Sequence, residues 1–293
     1  MKCLDPSAID AAERFVWLSG RLLDRHRFAH LFRGAPAEPV VAALRPYQNA
    51  DGGFGNALEP DLRCPISQPQ PVEVALRLLD ELDAFDDPMV QGACDYLTTI
   101  TTPDGGVPFV LASASNYPCA PWWMAADETP ASLNPTAALA GLLHRHGTRH
   151  PWLEPATAFC WDRLDRMEQT EWYEARTVLT FLEHAPDRAR AEAMAGRIGE
   201  LMIAQGLVAL APGAGGEAHS PLEVAVTPGS MARRLFADDV LDAHLDAMVA
   251  GQEEDGGWNV DFPIWTPATG LEWRSIVTID NLQLLRAYGR WPS

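Results

Sequence analysis

Positive charge is scarce in this chain. Its 293 residues carry 22 Lys and Arg against 40 Asp and Glu, a formal net charge of -18, and no local run of basic residues offsets it. Nucleic acid or an acidic lipid surface would meet net repulsion, so the balance argues against both as partners. Cysteine is sparse as well. Cys3, Cys64, Cys94, Cys119 and Cys160 are odd in number and lack CxxC spacing, which suits free thiols in a reducing compartment better than a disulfide framework. Long apolar runs are missing too. The segment Met1-Lys2-Cys3-Leu4-Asp5-Pro6 has no apolar signal region, and no stretch approaches the ~20 residues that span a bilayer. The expectation is a soluble, cytoplasmic protein built as a single domain over 1–293.

Strand signals are absent and helical ones abound. Ser7, followed by Ile9, Ala12, Phe15, Val16, Leu18, Leu22 and Leu23, reads as an N-cap and a three-to-four-residue apolar stripe, predicting a helix over about 7–24. Further helices are expected at about 37–45, 71–83, 88–98, 134–146, 152–167, 171–184, 187–204, 221–236, 238–250 and 275–288. Several begin at or beside Pro (Pro71, Pro88, Pro135, Pro221) and others stop at Gly (Gly147, Gly251, Gly289), as the Pro-first, Gly-last asymmetry requires.

A turn recurs among them. Gln48-Asn49-Ala50-Asp51-Gly52-Gly53-Phe54 and Gln252-Glu253-Glu254-Asp255-Gly256-Gly257-Trp258 share one pattern, with Asp104-Gly105-Gly106-Val107-Pro108-Phe109 as a weaker copy between them. Asp51 and Asp104 lie about fifty residues apart, and Asp104 and Asp255 about three times that, so the copies fit one repeat whose intermediate members have decayed. Short connections (84–87, 147–151, 185–187) alternate with long ones rich in Gly, Pro and Trp (46–70, 99–133, 205–220, 251–274), with only 168–170 breaking the pattern. Stacked helix pairs put every second connection at the same end. The expected fold is therefore all-α, an (α/α)6 toroid whose inner ring is 7–24, 71–83, 134–146, 171–184, 221–236 and 275–288, with one outer helix missing. Closure buries the apolar faces that repeats cannot bury alone.

The DGG-aromatic turns, at this spacing and between outer and inner helices, resemble the repeats of terpenoid cyclases and protein prenyltransferase β subunits. That resemblance implies a structural role for the turns. Gln and the aromatic residue tie neighbouring helices, and Gly supplies backbone angles other residues avoid. The family's chemical motifs are not matched. Where protonating cyclases carry DxDD, this chain reads Leu133-Asn134-Pro135-Thr136-Ala137; Asp86-Asp87 lacks the third acid of DDxxD; Asp61 and Cys64 lack the spacing and downstream His of a zinc site. No metal or cofactor is expected.

Candidate chemistry gathers at the loop-bearing end. Glu59 and Asp61 sit in a loop expected to overhang the cavity, either as solvated loop carboxylates or with Asp61 as an acid or a ligand for a substrate cation. Trp122 and Trp123 are roof packing or a cavity wall, where aromatic faces stabilise cations by roughly 0.5–2 kcal/mol, and Asp127 just beyond them stands as a substitute acid. Glu171-Trp172-Tyr173-Glu174-Ala175-Arg176 and Glu272-Trp273-Arg274-Ser275 place acid, aromatic and base near inner-helix starts. They are caps and ion pairs, or else Arg176 and Arg274 hold a carboxylate or phosphate. Asp280, in the apolar stretch Ile276-Val277-Thr278-Ile279-Asp280, is a buried general acid or a satisfied core acceptor. The site set is thus Asp61, Asp127, Asp280 and Glu174 as acids, with Trp122, Trp123, Trp172, Tyr173, Arg176, Trp258, Trp273 and Arg274 lining an apolar substrate.

The leading expectation is a terpenoid-cyclase-like enzyme that binds an isoprenoid or other apolar molecule and performs acid-initiated cyclisation, isomerisation or elimination. A non-catalytic toroid that binds a ligand or partner, or dimerises, through its loop end is the second; it calls for an exposed apolar patch. A carbohydrate-active toroid with paired carboxylates and Trp platforms is the third. Fold alone does not choose among them.

Overall fold

Proline in the first turn marks where several helices of this protein begin. The computed structural model describes residues 1–125, 129–213 and 218–292, and within them every regular element is helical, with only isolated β-bridges besides. Eleven α-helices are formed by the described residues: α1 (Pro6–Ser19), α2 (Leu22–Arg33), α3 (Glu38–Leu44), α4 (Pro69–Glu81), α5 (Pro88–Ile100), α6 (Leu133–Arg145), α7 (Leu153–Asp165), α8 (Trp172–His184), α9 (Arg188–Ala204), α10 (Asp238–Ala250) and α11 (Pro267–Ala287). Asp5 caps α1 by accepting from the Ser7 amide at 2.9 Å, and Asp87 caps α5 through Met89 at 2.9 Å. Each is followed by Pro at the first helical position, where the missing N–H costs nothing. None of these helices is long and apolar enough to cross a membrane.

The chain divides into two compact units, Leu44–Ala204 and Met1–Ala43 with Gln205–Ser293. In the first, α6 packs against α4, α7 and α8. Its residues from Pro135 to Leu143 are all buried, the signature of a helix enclosed on every side. Gly141 permits the close approach: a Cβ there would stand 2.6 Å from the Thr180 carbonyl oxygen of α8. In the second unit α11 packs against α1, α2 and α10.

The DGG turns explain how each unit holds its helices. Gly52, Gly105 and Gly256 adopt φ of 86, 96 and 94°, a region that L side chains avoid. Asp51 and Asp255 accept from the amides of Gly53 and Gly257 at 2.9 and 3.0 Å. The Gln48 amide donates to the carbonyls of Gly52 (2.9 Å) and of Met89 in α5 (3.1 Å); Gln252 donates to Gly256 and to Ala8 in α1, both at 2.8 Å. Gly52 lies against Gly92 of α5, Gly105 against Pro155 of α7 and Gly256 against Ala11 of α1. So α1 stands to the last turn as α5 stands to the first. The structural role of the motif follows from geometry.

Three expectations about helices are corrected. The continuous helix over 7–24 is two helices, broken at Gly20, whose extended backbone is stapled by its N–H to Val16 (2.8 Å) and by Asp24, which accepts from the Arg21 amide and Nε at 3.0 and 2.9 Å. The apolar spacing runs through the break, so periodicity could not detect it. Residues 221–236 form no α-helix; single 3-10 turns at Pro221–Glu223 and Met231–Leu235 flank Thr227-Pro228-Gly229, where Pro removes a donor and Gly is a poor helix former. The last helix starts at Pro267 instead of 275, because Thr266 caps it by accepting from the Thr269 amide at 3.2 Å.

Candidate functional site

Burial sorts the candidate acids. Glu174, in the first turn of α8, is half-buried and accepts from Thr170 Oγ1 at 3.2 Å. Desolvation raises its pKa, the Thr170 hydrogen bond opposes the rise, and the neighbouring Glu171 charge adds to it. Asp61 and Glu59 do not overhang as solvated groups: both are buried, at 2% and 6% exposure. Their loop is tucked in by the Ala120 amide donating to the Asp61 carbonyl (2.9 Å) and the Asp61 amide donating to Glu59 Oε1 (3.2 Å). The loop turns back through Asn56 and Ala57 at φ of 57 and 63°. Asp280 is exposed, not buried in the core; its partner Arg27 is the buried one, donating from Nη2 at 2.6 Å. The apolar run around Asp280 concealed that this position faces outward. Asp127 lies outside the described residues.

The cationic and aromatic candidates separate in the same way. Arg274 is committed to the last DGG turn: its Nη1 and Nη2 donate to Asp255 at 2.7 and 2.8 Å, its Nε to the Trp258 carbonyl at 3.2 Å, and its guanidinium lies over Phe15. These bonds hold the Asp255 pKa down. Arg176, half-buried in the second turn of α8, has no side-chain hydrogen bond or ion pair among the described residues. Trp258 is buried, with Nε1 donating to the Met248 carbonyl at 2.8 Å and its amide to Thr278 Oγ1 at 3.0 Å. Trp172 is also buried, while Tyr173 beside it is half-exposed. Trp123 is buried and stacked on Phe109 at 5.0 Å, whereas Trp122 remains 42% exposed. Trp273 meets Phe262 edge-on at 5.2 Å. An open depression of ≈ 770 Å³ beside α6 and α7, bordered by His144, His150 and Trp161, is lined by none of these candidates.

At Asn134, where the resemblance led to the expectation of an acid, Oδ1 accepts from Gln70 Nε2 of α4 at 2.8 Å. The pair is a neutral one of two amides.

One cluster escaped sequence reasoning. His219, Glu223 and Asp261 bring one ligand-type atom each to within 4.8 Å of one another. His219 and Glu223 stand four residues apart across a 3-10 turn, a weak signal. Asp261 follows the third DGG turn, and only folding reveals its nearness. Partial desolvation and then the Glu223 charge raise the Asp261 pKa.

No family model matches the chain, and no curated protein does. Solved structures do. A protein from Actinoplanes is similar over 97% of this chain and 99% of its own, at 19% identity and a TM-score of 0.60. A variant of the type II terpene cyclase MstE from Scytonema, in complex with geranylgeranyl dihydroxybenzoate as substrate, is similar over 96% of this chain and 97% of its own, at 14% identity and 0.55. Apo MstE covers 97% and 98% at 14% identity and 0.54. At such identities the likeness shows the fold, and the fold is terpenoid-cyclase-like.

Proposed function

We propose that this protein is an acid catalyst acting on an isoprenoid or similarly apolar substrate, with Glu174 as the proton donor and Arg176 and Tyr173 of the same helix as binding groups. The observation that carries the reading is the place of Glu174, half-buried in the first turn of α8 and held by Thr170 Oγ1 at 3.2 Å, where desolvation favours the protonated carboxyl. In this reading Glu174 delivers its proton to an alkene carbon, a neighbouring double bond captures the resulting cation, and loss of a proton returns the carboxyl to its starting state. The reaction is an isomerisation that consumes no co-reactant. Arg176 lies two residues from Glu174 on α8, off its face, and is suited to the polar end of a substrate. The neighbour that binds geranylgeranyl dihydroxybenzoate supports a long prenyl chain with an anionic head as the class to test. The expected toroid would enclose it.

The experiment is incubation of the protein and of Glu174→Gln with geranylgeranyl dihydroxybenzoate and with geranylgeraniol, followed by mass spectrometry of organic extracts. Cyclised product from the parent and at least ~100-fold less from E174Q, a loss within the range ascribed to general acids, is the expected result. Full activity in E174Q, or its loss only in Asp127→Asn, would remove Glu174 from the role.

A second reading, a non-catalytic binding protein, has two observations in its favour. The Gln70–Asn134 amide pair is neutral, and Trp17, Leu18 and Leu22, around the Gly20 break, are 47%, 78% and 61% exposed. Such a patch suits a docking surface. Stoichiometric binding of the prenyl compounds without turnover would select this reading.

A further inference from the structure

We propose that His219, Glu223 and Asp261 form a binding site for a divalent first-row transition cation. The site is separate from the acid proposed above and is tested without reference to it.

Three observations support the assignment. First, the donor set is one imidazole nitrogen and two carboxylate oxygens, all mutually within 4.8 Å, with His219 Nδ1 3.6 Å from Glu223 Oε1. Ligand atoms bound at about 2.0–2.2 Å to one tetrahedral ion stand roughly 3.3–3.6 Å apart, so from a spread within 4.8 Å the widest pair closes by at most about 1.5 Å, shared between two side chains. Second, the residues come from two segments, and the one that carries His219 and Glu223 is held by hydrogen bonds. The His219 amide donates to the Leu207 carbonyl and its own carbonyl accepts from Ala209, both at 2.9 Å. Glu223 is oriented by the Ser220 amide donating to its Oε1 at 3.1 Å. Asp261 is carried in by the chain leaving the third DGG turn and is followed by Phe262, whose ring meets Trp273. Third, two carboxylates this close repel each other, and a dication between them turns that repulsion into attraction.

The chemistry of the donors selects the metal. An imidazole nitrogen favours zinc, iron, nickel or copper over magnesium and calcium, which take oxygen ligands. Three protein ligands leave at least one coordination position open, the arrangement of sites that present a water or an anionic oxygen donor to the metal. The cation would also bring positive charge to a chain whose formal net charge is -18.

The test is isothermal titration of the whole, chelator-treated protein with ZnCl2 and with MnCl2, beside MgCl2. One site per chain is expected for zinc, with no saturable heat from magnesium at the same concentrations. Asp261→Asn should weaken zinc binding by at least ~10-fold, as loss of a charged ligand demands, and His219→Gln should do the same. Asp261 is exposed, so D261N is expected to fold even if H219Q does not, and circular dichroism of each variant checks this. A Co2+ titration gives a second readout, in which the d–d absorption should change between the parent and D261N. Absence of saturable zinc binding to the parent, or zinc affinity unchanged in folded D261N, overturns the proposal.

Discussion

Replacing Gly52 by Ala tests whether the DGG turn is the clamp the geometry describes. Two costs combine. Ala at φ 86° meets the left-handed penalty of roughly 1–2 kcal/mol. Its Cβ would also overlap the Gly92 carbonyl, lying 2.7 Å from the carbonyl carbon. That atom is backbone of α5 and cannot rotate away, so α5 must shift, an overpacking cost of about 1–3 kcal/mol. The sum is about 2–5 kcal/mol. Gly147 is the control: it too has positive φ, 59°, but nothing lies within 4 Å of its Cβ direction, so Gly147→Ala should show the backbone penalty alone, about 1–2 kcal/mol. Both residues belong to the unit Leu44–Ala204, which makes the comparison direct. Urea unfolding followed by circular dichroism at 222 nm measures the two midpoints. G52A should unfold at clearly lower urea than G147A with a similar slope. Equal midpoints would refute the claim that contact with α5, and not turn conformation alone, fixes Gly at this position.

Three further outcomes are expected. Arg290 is 1% exposed and donates to the Lys2 carbonyl (2.9 Å), Asp246 (2.6 Å) and Asp242 (2.7 Å). Arg290→Ala should destabilise by about 2–3 kcal/mol, below the full buried-pair cost because Asp242 is well exposed, and a melting temperature unchanged by the substitution would show these bonds to be idle. His184 has its pKa lowered to about 4 by desolvation, with the charge of Arg145 assisting, Asp80 opposing, and Arg188 and His146 adding smaller repulsions. The unfolded chain therefore binds the proton more tightly, and stability is fully present above about pH 6.5 and drains away as pH falls toward 4. Melting curves across that window should fall less steeply for His184→Gln, and parallel curves would refute the assignment. Burial pushes the Cys94 thiol up to about 12 and that of Cys160 higher still, while Cys3 is exposed. In the folded protein a disulfide thiol reagent should react at once with Cys3 and leave Cys94 and Cys160 intact; a fast phase that survives when Cys3 and the partly exposed Cys119 are both replaced by Ser would count against this.

Residue order settles what depends on neighbours along the chain. Pro beside acidic or hydroxyl caps starts the helices, and Asp-Gly-Gly demands a left-handed glycine wherever it occurs, so the all-helical class and the three turns were readable from residue order. Periodicity failed where local signals conflict with a break. Val16 through Leu23 keeps its apolar spacing across Gly20, and 221–236 keeps it across Thr227-Pro228-Gly229. Which distant segment each turn clamps emerges on folding, when Gln252 and Gly256 find Ala8 and Ala11 from the opposite end of the sequence. Folding also decides the state of each polar candidate. Asp61 and Glu59 are enclosed by a loop that meets them some sixty residues later. Arg274 is taken by Asp255, and Asp280 faces out toward Arg27. His219 and Glu223 meet Asp261, about forty residues downstream. Charge, burial and coordination are properties of a three-dimensional neighbourhood, and a residue's type fixes only what it can do once that neighbourhood exists.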